Sequence, residues 1–372
     1  MAEAKPLNIL AVEPYYGGSH KAFIGGLIRH SRHKFHLFQL PARKWKWRMR
    51  ASAINLAQWL QTCGRQFDII FASDFLSMAD FAGLCPAAAG IPKIAYFHEN
   101  QFAYPEQLEE KRDYQFLFTN ITTCLAADRV IFNSAWHRES FVRETAAFMH
   151  RMPDFVPQGI AQSIDAKAAV LHVGCELDDC QPAPQQRSGP PVILWNHRWE
   201  HDKDPDAFFR VLFDLLNEGA DFRVAVVGES FRQSPPIFDE ARRRLAGRIA
   251  QFGYMPDRAS YLQALRQSDI IVSTARQEFF GVAVVEAIAS GCYPLLPNRL
   301  SYPELLPEKH RARHLYRNAQ DLKQRLASLL ANPATMRTVD LSREMQRFSW
   351  AALAPLYDAA FDTAADSEHT HH

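Results

Sequence analysis

The 372-residue chain has few cysteines, no long apolar run and, over one stretch, no acidic residue. Its six cysteines are too sparse for the disulfide framework of a small secreted domain, which favours a reduced, cytoplasmic environment. No run of eighteen apolar residues occurs, so we expect no membrane-spanning helix. Residues 1–18 also lack the charged and apolar segments of a signal peptide, so we expect no secretion.

The stretch without acids lies between Glu13 and Asp68 and holds ten of the 42 Lys and Arg. The remaining 32 basic residues share the rest of the chain with all 41 acidic residues, so the formal net charge of +1 conceals a cationic region. Such segregation favours a polyanionic partner for one face of one domain.

The length predicts two domains, because a typical domain has about 150 residues. Hydrophobic residues make up 47% and aromatics 12% of the chain, enough for two ordinary cores. Short apolar runs separated by helix-length sequence indicate parallel strands buried on both faces. They lie at 8–13, 35–40, 67–72, 93–97 and 129–133, and again at 192–195, 222–227, 248–252, 270–273 and 292–296.

The predicted fold class is α/β, with two doubly wound, Rossmann-like domains that face each other across a cleft. A segment rich in Pro, Gln, Ser and Gly at 174–191 is interpreted as a linker between domains 1–173 and 192–345. A C-terminal helix at 346–365 is expected to pack back toward the N-terminal domain. The tail 366–372 is expected to be disordered, and its histidines are assigned no function.

One predicted loop–helix junction in the second half combines two acids with a glycine. A strand is predicted to end at Ser273, Glu278 lies in the following loop, and Glu286 falls one turn into the helix after Gly281. The free N–H groups and dipole of a helix start suit a phosphate, and a carboxylate on either side can bind hydroxyls. The alternative is an ordinary helix N-terminus whose acids favour the dipole.

A polar cluster follows the first strand of the second half, in the sequence Trp-Asn-His-Arg-Trp-Glu-His-Asp-Lys at 195–203. Arg198 and Lys203 are spaced to hold a diphosphate, the arginine through its planar fork and the lysine as a point charge. His197 and His201 are a weak metal signal, because no carboxylate is partnered with them. We therefore expect no metal.

Four consecutive hydrogen-bonding side chains follow the predicted strand 93–97. They are His98, Glu99, Asn100 and Gln101. Such a run is unusual for packing and suits the binding of polar substrate groups. The alternative for His98 is a buried, hydrogen-bonded structural histidine.

The two acids eight residues apart, ahead of a helix that ends in Ala-Ser-Gly-Cys-Tyr-Pro, resemble the signature of retaining glycosyltransferases of the GT-B fold, family-4 type. The resemblance implies that Glu278 binds hydroxyls of the donor sugar and that Glu286 binds the nucleotide ribose. It also implies that the backbone of Phe280, Gly281 and Val282 holds the diphosphate.

Enzymes of that type place an arginine and a lysine in the loop after the first strand of the second domain, and often a histidine near the reacting carbon. The resemblance thereby gives Arg198, Lys203, His98 and Glu278 catalytic roles. The predicted donor site is completed by Gly17, Gly18, Asn196 and His197.

Four segments together resemble a narrower family, the tRNA-queuosine alpha-mannosyltransferases, over nearly the whole chain. They are 15–21, 41–50, 97–101 and 195–203. That family transfers mannose from GDP-mannose to the cyclopentene-diol of queuosine at the wobble position of tRNA-Asp. The resemblance implies a nucleotide sugar and the tRNA anticodon stem-loop as partners, with no cofactor, metal or membrane.

The segment 43–50 supports an RNA partner independently, because its cations alternate with two tryptophans. Cations neutralise phosphates and indoles stack on unpaired bases. Alternation puts both indoles on one side of an extended segment but splits them on a helix. A basic membrane-binding face and a solvated loop with one buried tryptophan are the alternatives. The predicted acceptor-binding residues are His20, Lys44, Trp45, Lys46, Trp47, Arg48, Arg50, Glu99, Asn100 and Gln101.

The mechanism expected from these residues is metal-independent transfer with retention at the anomeric carbon. Arg198, Lys203 and the helix start at Gly281 would stabilise charge on the departing diphosphate, while Glu278 and His98 orient the sugar. The leaving phosphate itself can take the acceptor proton. The alternatives are another nucleotide sugar, a lipid or small-molecule acceptor, or a non-catalytic module that binds RNA or a nucleotide sugar.

Overall fold

A computed structural model describes residues 5–102, 114–182, 188–230 and 234–366. The chain divides into two compact units. Unit 1 combines Met1–Gly174 with Trp350–His372, and unit 2 is Cys175–Ser349. The predicted tail 366–372 lies outside the described residues except for Asp366.

Unit 1 is built on a six-stranded sheet. Its strands are β1 (Asn8–Tyr16), β2 (Lys34–Pro41), β3 (Ile69–Ser73), β4 (Lys93–Phe97), β5 (Arg129–Phe132) and β6 (Ala168–Val170). Its first six helices are α1 (Gly18–His30), α2 (Trp45–Cys63), α3 (Met78–Leu84), α4 (Tyr114–Ala126), α5 (Ala135–Met149) and α6 (Ile160–Ala166). The strand order is β2-β1-β3-β4-β5-β6, and every pair is parallel.

Unit 2 repeats this architecture. Its strands are β7 (Val192–Asn196), β8 (Arg223–Val227), β9 (Ile249–Gly253), β10 (Ile270–Val272), β11 (Tyr293–Pro297) and β12 (Leu315–Tyr316). Its helices are α7 (Pro205–Asn217), α8 (Ile237–Arg244), α9 (Arg258–Arg266), α10 (Val282–Ala289), α11 (Glu308–His314), α12 (Ala319–Ala331), α13 (Ala334–Arg337) and α14 (Ser342–Met345). The order is β12-β11-β10-β7-β8-β9, again with parallel pairs.

The prediction of two doubly wound α/β domains is confirmed, and all ten predicted strands are present. Two edge strands, β6 and β12, were not predicted, since they are only three and two residues long. Central strands such as β3 and β4 are buried along their whole length, which explains their uninterrupted apolar sequence. Within the described ranges, no helix combines the length and the apolarity needed to cross a bilayer.

Each sheet has one point where the strand order reverses, between β1 and β3 in unit 1 and between β7 and β10 in unit 2. Ligands of doubly wound folds bind outside the carboxyl ends of the strands at such a point. Glu13 and Asp74 lie at this position in unit 1, and Asn196 and Thr274 lie there in unit 2.

The last helix, α15 (Trp350–Asp366), belongs to unit 1. Trp350 packs so closely on α1 that a Cβ at Gly26 would lie 2.1 Å from its Nε1. The indole also covers Gly174, where a Cβ would lie 2.4 Å from Cδ2. Further along α15, Asp358 accepts a hydrogen bond from the backbone N–H of Arg32. The segment 346–349, predicted as the start of this helix, is part of unit 2.

The predicted linker 174–191 is not a separate segment in its described part, because residues from Cys175 onward belong to unit 2. Cys175, Leu177 and Cys180 are buried. Arg266 of α9 donates hydrogen bonds to the backbone carbonyls of Asp179 and Gln181, and these bonds attach the segment to α9. These three buried side chains attach to unit 2 a segment whose composition is otherwise polar.

Candidate functional site

The helix start predicted to hold a diphosphate is present at α10. Gly281 precedes the helix with φ +102°, a conformation that residues with a side chain rarely adopt. The hydroxyl of Ser301 donates to the carbonyl of Phe280 over 3.0 Å and fixes the approach to the helix. The N–H groups of Val282 and Ala283 stand in the first turn, where helix geometry supplies no intrahelical acceptor. This backbone is suited to an anion.

Lys203 lies beside this loop, buried among acids. Its Nζ is 2.7 Å from the carbonyl oxygen of Gln277, 3.4 Å from Oε2 of Glu278 and 3.2 Å from Oδ2 of Asp202. Burial alone would lower the pKa of Lys203, but the two carboxylates raise it overall. A buried ammonium thus stays charged next to the predicted diphosphate position.

The loop that carries Lys203 is tied to the end of β10. The hydroxyl of Thr274 lies 3.0 Å from the carbonyl oxygen of Lys203 and 2.9 Å from that of Asp204. Arg276 donates through its backbone N–H to the carbonyl of Asp202 over 2.8 Å. The two loops predicted separately from the sequence are therefore joined by hydrogen bonds.

Arg198 lies nearer to solvent than Lys203. Its side chain is 52% exposed, and its Nη2 is 3.1 Å from Oε2 of Glu200. The structure therefore brings Lys203 and Glu278 into contact, while Arg198 is held at the surface of the same loop.

Glu286, the second predicted acid, is held by two side chains of α9. Arg258 forms an ion pair with its Oε1, and the hydroxyl of Tyr261 donates to Oε2 over 2.7 Å. Asn196 donates from Nδ2 to the Tyr261 oxygen over 2.9 Å. The carboxylate is 12% exposed, so it reaches the surface of unit 2 in a fixed orientation.

His197 is buried below this surface. Burial and the charge of Lys203 lower the pKa of His197 to about 3, so the imidazole is neutral. Gly228 approaches so closely that a Cβ there would lie 1.9 Å from the His197 carbonyl oxygen. Among the described residues, neither His197 nor His201 belongs to a cluster of metal-ligating side chains. The predicted contact of His197 with the donor stays a prediction.

In unit 1, polar side chains meet where β1, β3 and β4 end. His20 Nδ1 lies 3.1 Å from Glu13 Oε2, and His98 Nε2 lies 4.0 Å from the same oxygen. The two imidazole centroids are 4.1 Å apart. Asp74 accepts a hydrogen bond from the backbone N–H of His98 over 2.9 Å. The cluster occupies the reversal point of the sheet.

The two imidazoles of this cluster differ in charge. Burial alone would lower the pKa of His20, but the Glu13 carboxylate and its hydrogen bond raise it to about 9. Burial and the neighbouring His20 hold the pKa of His98 well below its usual range. At neutral pH a charged His20 therefore lies against a neutral His98, which can exchange hydrogen bonds with a sugar hydroxyl.

Glu13, His20 and His98 are also, in the described part of the chain, the one trio of metal-ligating side chains whose ligand atoms lie within 4.8 Å of one another. Glu13 already accepts hydrogen bonds from the backbone N–H of Tyr15 over 2.8 Å and from the hydroxyl of Ser73 over 3.1 Å. With His20 as its third partner, this carboxylate is the anion of an ion pair.

The three residues after His98 differ in how deeply they are buried. Glu99 and Gln101 are half-buried, and the backbone N–H of Gln101 donates to Oδ1 of Asn120. Asn100 is completely buried, and its Oδ1 accepts a hydrogen bond from the N–H of Phe102 over 2.9 Å. This hydrogen bond closes the turn, and the predicted contact of Asn100 with an acceptor stays a prediction.

Gly17 and Gly18 form the start of α1. A Cβ at Gly17 would lie 2.5 Å from Cβ of Ala42, so the turn needs a glycine to pass β2. Gly18 is exposed with φ +50°. The helix start is open to solvent here, and the predicted donor contact of both glycines stays a prediction.

The basic segment is helical from Trp45, and this is the conformation that splits the two indoles instead of placing them on one side. α2 begins at Trp45, and a helix turns by about 100° per residue. Trp45 is half-buried, with its ring centroid 5.0 Å from that of Phe116. Trp47 is 63% exposed. One tryptophan therefore anchors the helix and the other is presented to solvent.

The cations of the segment surround these rings. Lys44, Lys46 and Arg50 are exposed, and Arg48 is half-buried with its Nε donating to the carbonyl of Pro41. The Arg50 guanidinium lies 5.3 Å from the centroid of Phe116. An aromatic contact thus orients the Arg50 guanidinium at the surface of unit 1.

Comparison with known proteins matches both units. The family described as tRNA-queuosine alpha-mannosyltransferase N-terminal matches residues 8–175, and the family of group 1 glycosyl transferases matches residues 179–347. A Drosophila melanogaster protein named tRNA-queuosine alpha-mannosyltransferase is 38% identical over 96% of this chain and 97% of its own length. The chain belongs to the tRNA-queuosine alpha-mannosyltransferase family. It is a glycosyltransferase by this membership.

More distant proteins share parts of this sequence or its fold. A GDP-mannose-dependent phosphatidylinositol dimannoside mannosyltransferase of Mycobacterium tuberculosis is 26% identical over 63% of this chain and 58% of its own length. Sucrose-phosphate synthase from Thermosynechococcus elongatus superposes with a TM-score of 0.74 at 15% identity, covering 97% of this chain and all of that chain. Anabaena HepE in complex with UDP gives 0.71 at 16% identity, covering 96% and 100%. The predicted GT-B fold is confirmed.

Four residues that contact the predicted site residues were not predicted from the sequence. Glu13, Asp74, Asp202 and Tyr261 each contact a predicted site residue. Glu13 and Asp74 were detectable, because each is an acid at or just after the end of a buried strand. The role of Tyr261 depends on the packing of α9 on α10 and left no signal in the sequence.

Proposed function

We propose that this chain transfers mannose from GDP-mannose to queuosine at the wobble position of tRNA-Asp. The acceptor rests on the name of the Drosophila relative, with which this chain shares nearly its full length. The donor is supported by the GDP-mannose-dependent relative, whose similarity spans 63% of this chain. The observation that carries the proposal is the contact of Lys203 with Glu278 beside the start of α10.

The donor would bind to unit 2. The N–H groups that follow Gly281 would receive the diphosphate, and the buried ammonium of Lys203 would neutralise it. Glu278 would bind sugar hydroxyls, and Glu286 would bind the ribose through the oxygen atoms fixed by α9. Because these groups are held before any ligand arrives, they need little reorganisation during the reaction.

As the anomeric C–O bond breaks, negative charge develops on the β-phosphate oxygen that had linked the diphosphate to the sugar, and positive charge develops on the sugar ring. Lys203 and the helix start would stabilise the departing oxygen. The acceptor hydroxyl would attack from the face that the diphosphate leaves, and its proton would pass to a diphosphate oxygen. This sequence gives retention at the anomeric carbon and requires no metal.

The acceptor would bind to unit 1, where the cations of α2 and the exposed Trp47 offer phosphate contacts and a stacking surface. His98, kept neutral, would accept or donate a hydrogen bond at the reacting groups. A tRNA acceptor, together with free cysteines throughout the described chain, agrees with a cytoplasmic location.

The test is incubation of the purified chain with GDP-mannose and queuosine-containing tRNA, followed by mass spectrometry of the nucleosides. We expect queuosine to gain one hexose. Three controls accompany it: UDP-glucose as donor, tRNA-Asp that lacks queuosine, and the Glu278→Gln variant. Transfer to tRNA without queuosine, or none with any tRNA, would contradict the proposed acceptor. Transfer from UDP-glucose at the same rate would contradict the proposed donor.

A further inference from the structure

A cavity of about 350 Å³ lies in unit 1, apart from the polar cluster at the strand ends. It is open to solvent and is bordered by α2, α3 and α4. Arg50, Ser77, Asp80, Gln115, Phe118 and Thr122 contribute to its lining. Its volume falls within the range of small-molecule sites, which is roughly 300–1,000 Å³.

The walls of the cavity carry complementary hydrogen-bonding groups. Asp80, exposed in the first turn of α3, supplies carboxylate acceptors. Arg50 on α2 lies over the ring of Phe116 and donates one hydrogen bond to Gln115. Since a guanidinium has five N–H donors, it retains donors for a ligand. Acceptors on one helix and donors on another match the mixed edge of a nucleobase.

Aromatic surface adjoins these polar groups. Phe118 lines the cavity and is 38% exposed. Trp47 lies one turn before Arg50 on α2 and is 63% exposed. Unpaired RNA bases are bound by stacking on aromatic rings together with hydrogen bonds to their edges, and this cavity offers both.

We propose that this cavity is a subsite for one unpaired nucleobase of the acceptor RNA. The inference rests on the proposed function, since it assigns a binding position to a nucleotide of that RNA. The cations of α2 would contact the adjoining phosphates, so base and backbone would be held by one helix. An anionic lipid headgroup or a free phosphate fits less well, because the Asp80 carboxylate would repel it.

The test combines a cavity-filling variant with an altered RNA. Thr122→Trp fills the space from α4, and Leu125→Trp, one turn further along α4 at a residue not among those that line the cavity, is its matched control. Binding of the queuosine-containing anticodon stem-loop is measured by fluorescence anisotropy, with an abasic site placed at each unpaired position in turn. Circular dichroism and thermal unfolding check that each variant is folded.

The wild-type protein should lose roughly tenfold to a hundredfold in affinity at one abasic position. Thr122→Trp should show the same loss with intact RNA and no additional loss at that position. Leu125→Trp should behave as wild type. Asp80→Asn keeps the cavity shape and should weaken binding of intact RNA by a smaller factor, which carries the test if Thr122→Trp does not fold.

Three results would overturn the inference. If wild type shows a sensitive position but Thr122→Trp and Asp80→Asn bind as wild type does, the cavity is not the subsite and the proposed function stands. If wild type binds no RNA, the proposed function fails as well. If Thr122→Trp loses binding to vesicles of anionic phospholipid while RNA binding is unchanged, the cavity serves a membrane surface.

Discussion

The Nδ1 atom of His20 lies 3.1 Å from Oε2 of Glu13, and both side chains are almost entirely buried in unit 1. This ion pair stands against the ring of His98 at the ends of the central strands. It places a charge of each sign in an interior where unpaired charge would be costly. The pair therefore connects the stability of unit 1 to pH.

The His20 pair predicts a loss of stability in mild alkali. The folded-state pKa of about 9 lies above the ordinary value of 6.5, so the stabilising contribution is complete below pH 6.5 and is lost as pH rises through 9. We expect the free energy of unfolding to fall by about 2–3 kcal/mol between pH 6.5 and 9.5. Urea unfolding of wild type and His20→Asn at both pH values measures it. An equal fall in both proteins would show that His20 is not responsible.

Removing the Lys203 ammonium should slow transfer strongly without unfolding unit 2. Lys203→Met keeps much of the side-chain volume but deletes the charge that would stabilise the leaving diphosphate, so we expect kcat to fall by roughly 10²–10³. The matched control is Lys309→Met, which removes a 69% exposed lysine paired with Glu344. Steady-state kinetics of both variants measure kcat. Near wild-type kcat in Lys203→Met would remove Lys203 from the reaction.

Gly281 should tolerate no side chain. Gly281→Ala forces an alanine into φ +102°, at a cost of about 1–3 kcal/mol, and shifts the N–H groups proposed to hold the diphosphate. We expect weaker binding of GDP, measured by calorimetry. Gly247→Ala is the control, because nothing lies within 4 Å of its Cβ position and it lies outside the site. Equal GDP affinity in the two variants would exclude the α10 start as the diphosphate site.

The two tryptophans of α2 should separate stability from RNA binding. Trp45→Ala removes a ring that packs on Phe116 and should destabilise unit 1 by about 2 kcal/mol. Trp47→Ala removes an exposed ring, so it should leave stability within about 0.5 kcal/mol while weakening binding of the stem-loop RNA. Thermal unfolding and anisotropy on both variants test this. Unchanged RNA affinity in Trp47→Ala would contradict the stacking role.

The fold was predictable because its central strands are buried on both faces, and such strands appear in the sequence as continuous apolar runs. β6 and β12 escaped because two or three residues carry no periodic signal. The segment from Cys175 was misjudged since its composition is polar, yet Cys175, Leu177 and Cys180 are enough to fix it to unit 2. Local composition does not reveal which few side chains of a segment are buried in a hydrophobic core.

The placement of the candidate residues was predictable where it depends on backbone topology and on sequence spacing. Gly281, Glu278 and Lys203 lie together because strand ends at a reversal point must converge. The conformation of 43–50 could not be decided from the sequence, since alternation of cations and indoles is compatible with both a helix and an extended chain. Burial of Asn100 likewise depends on how its loop turns, which no pattern of side chains encodes.

Trp350 fills the space left by two glycines, one in α1 and one just before the boundary with unit 2. The helix that completes unit 1, α15, is consequently synthesised only after the whole of unit 2. Unit 2 is continuous in sequence, whereas residues 1–174 lack the indole that covers Gly26 and Gly174 until Trp350 has been synthesised. A chain that stops before residue 350 would leave the surface around Gly26 and Gly174 uncovered. We expect such a chain to be a target for chaperones and proteases.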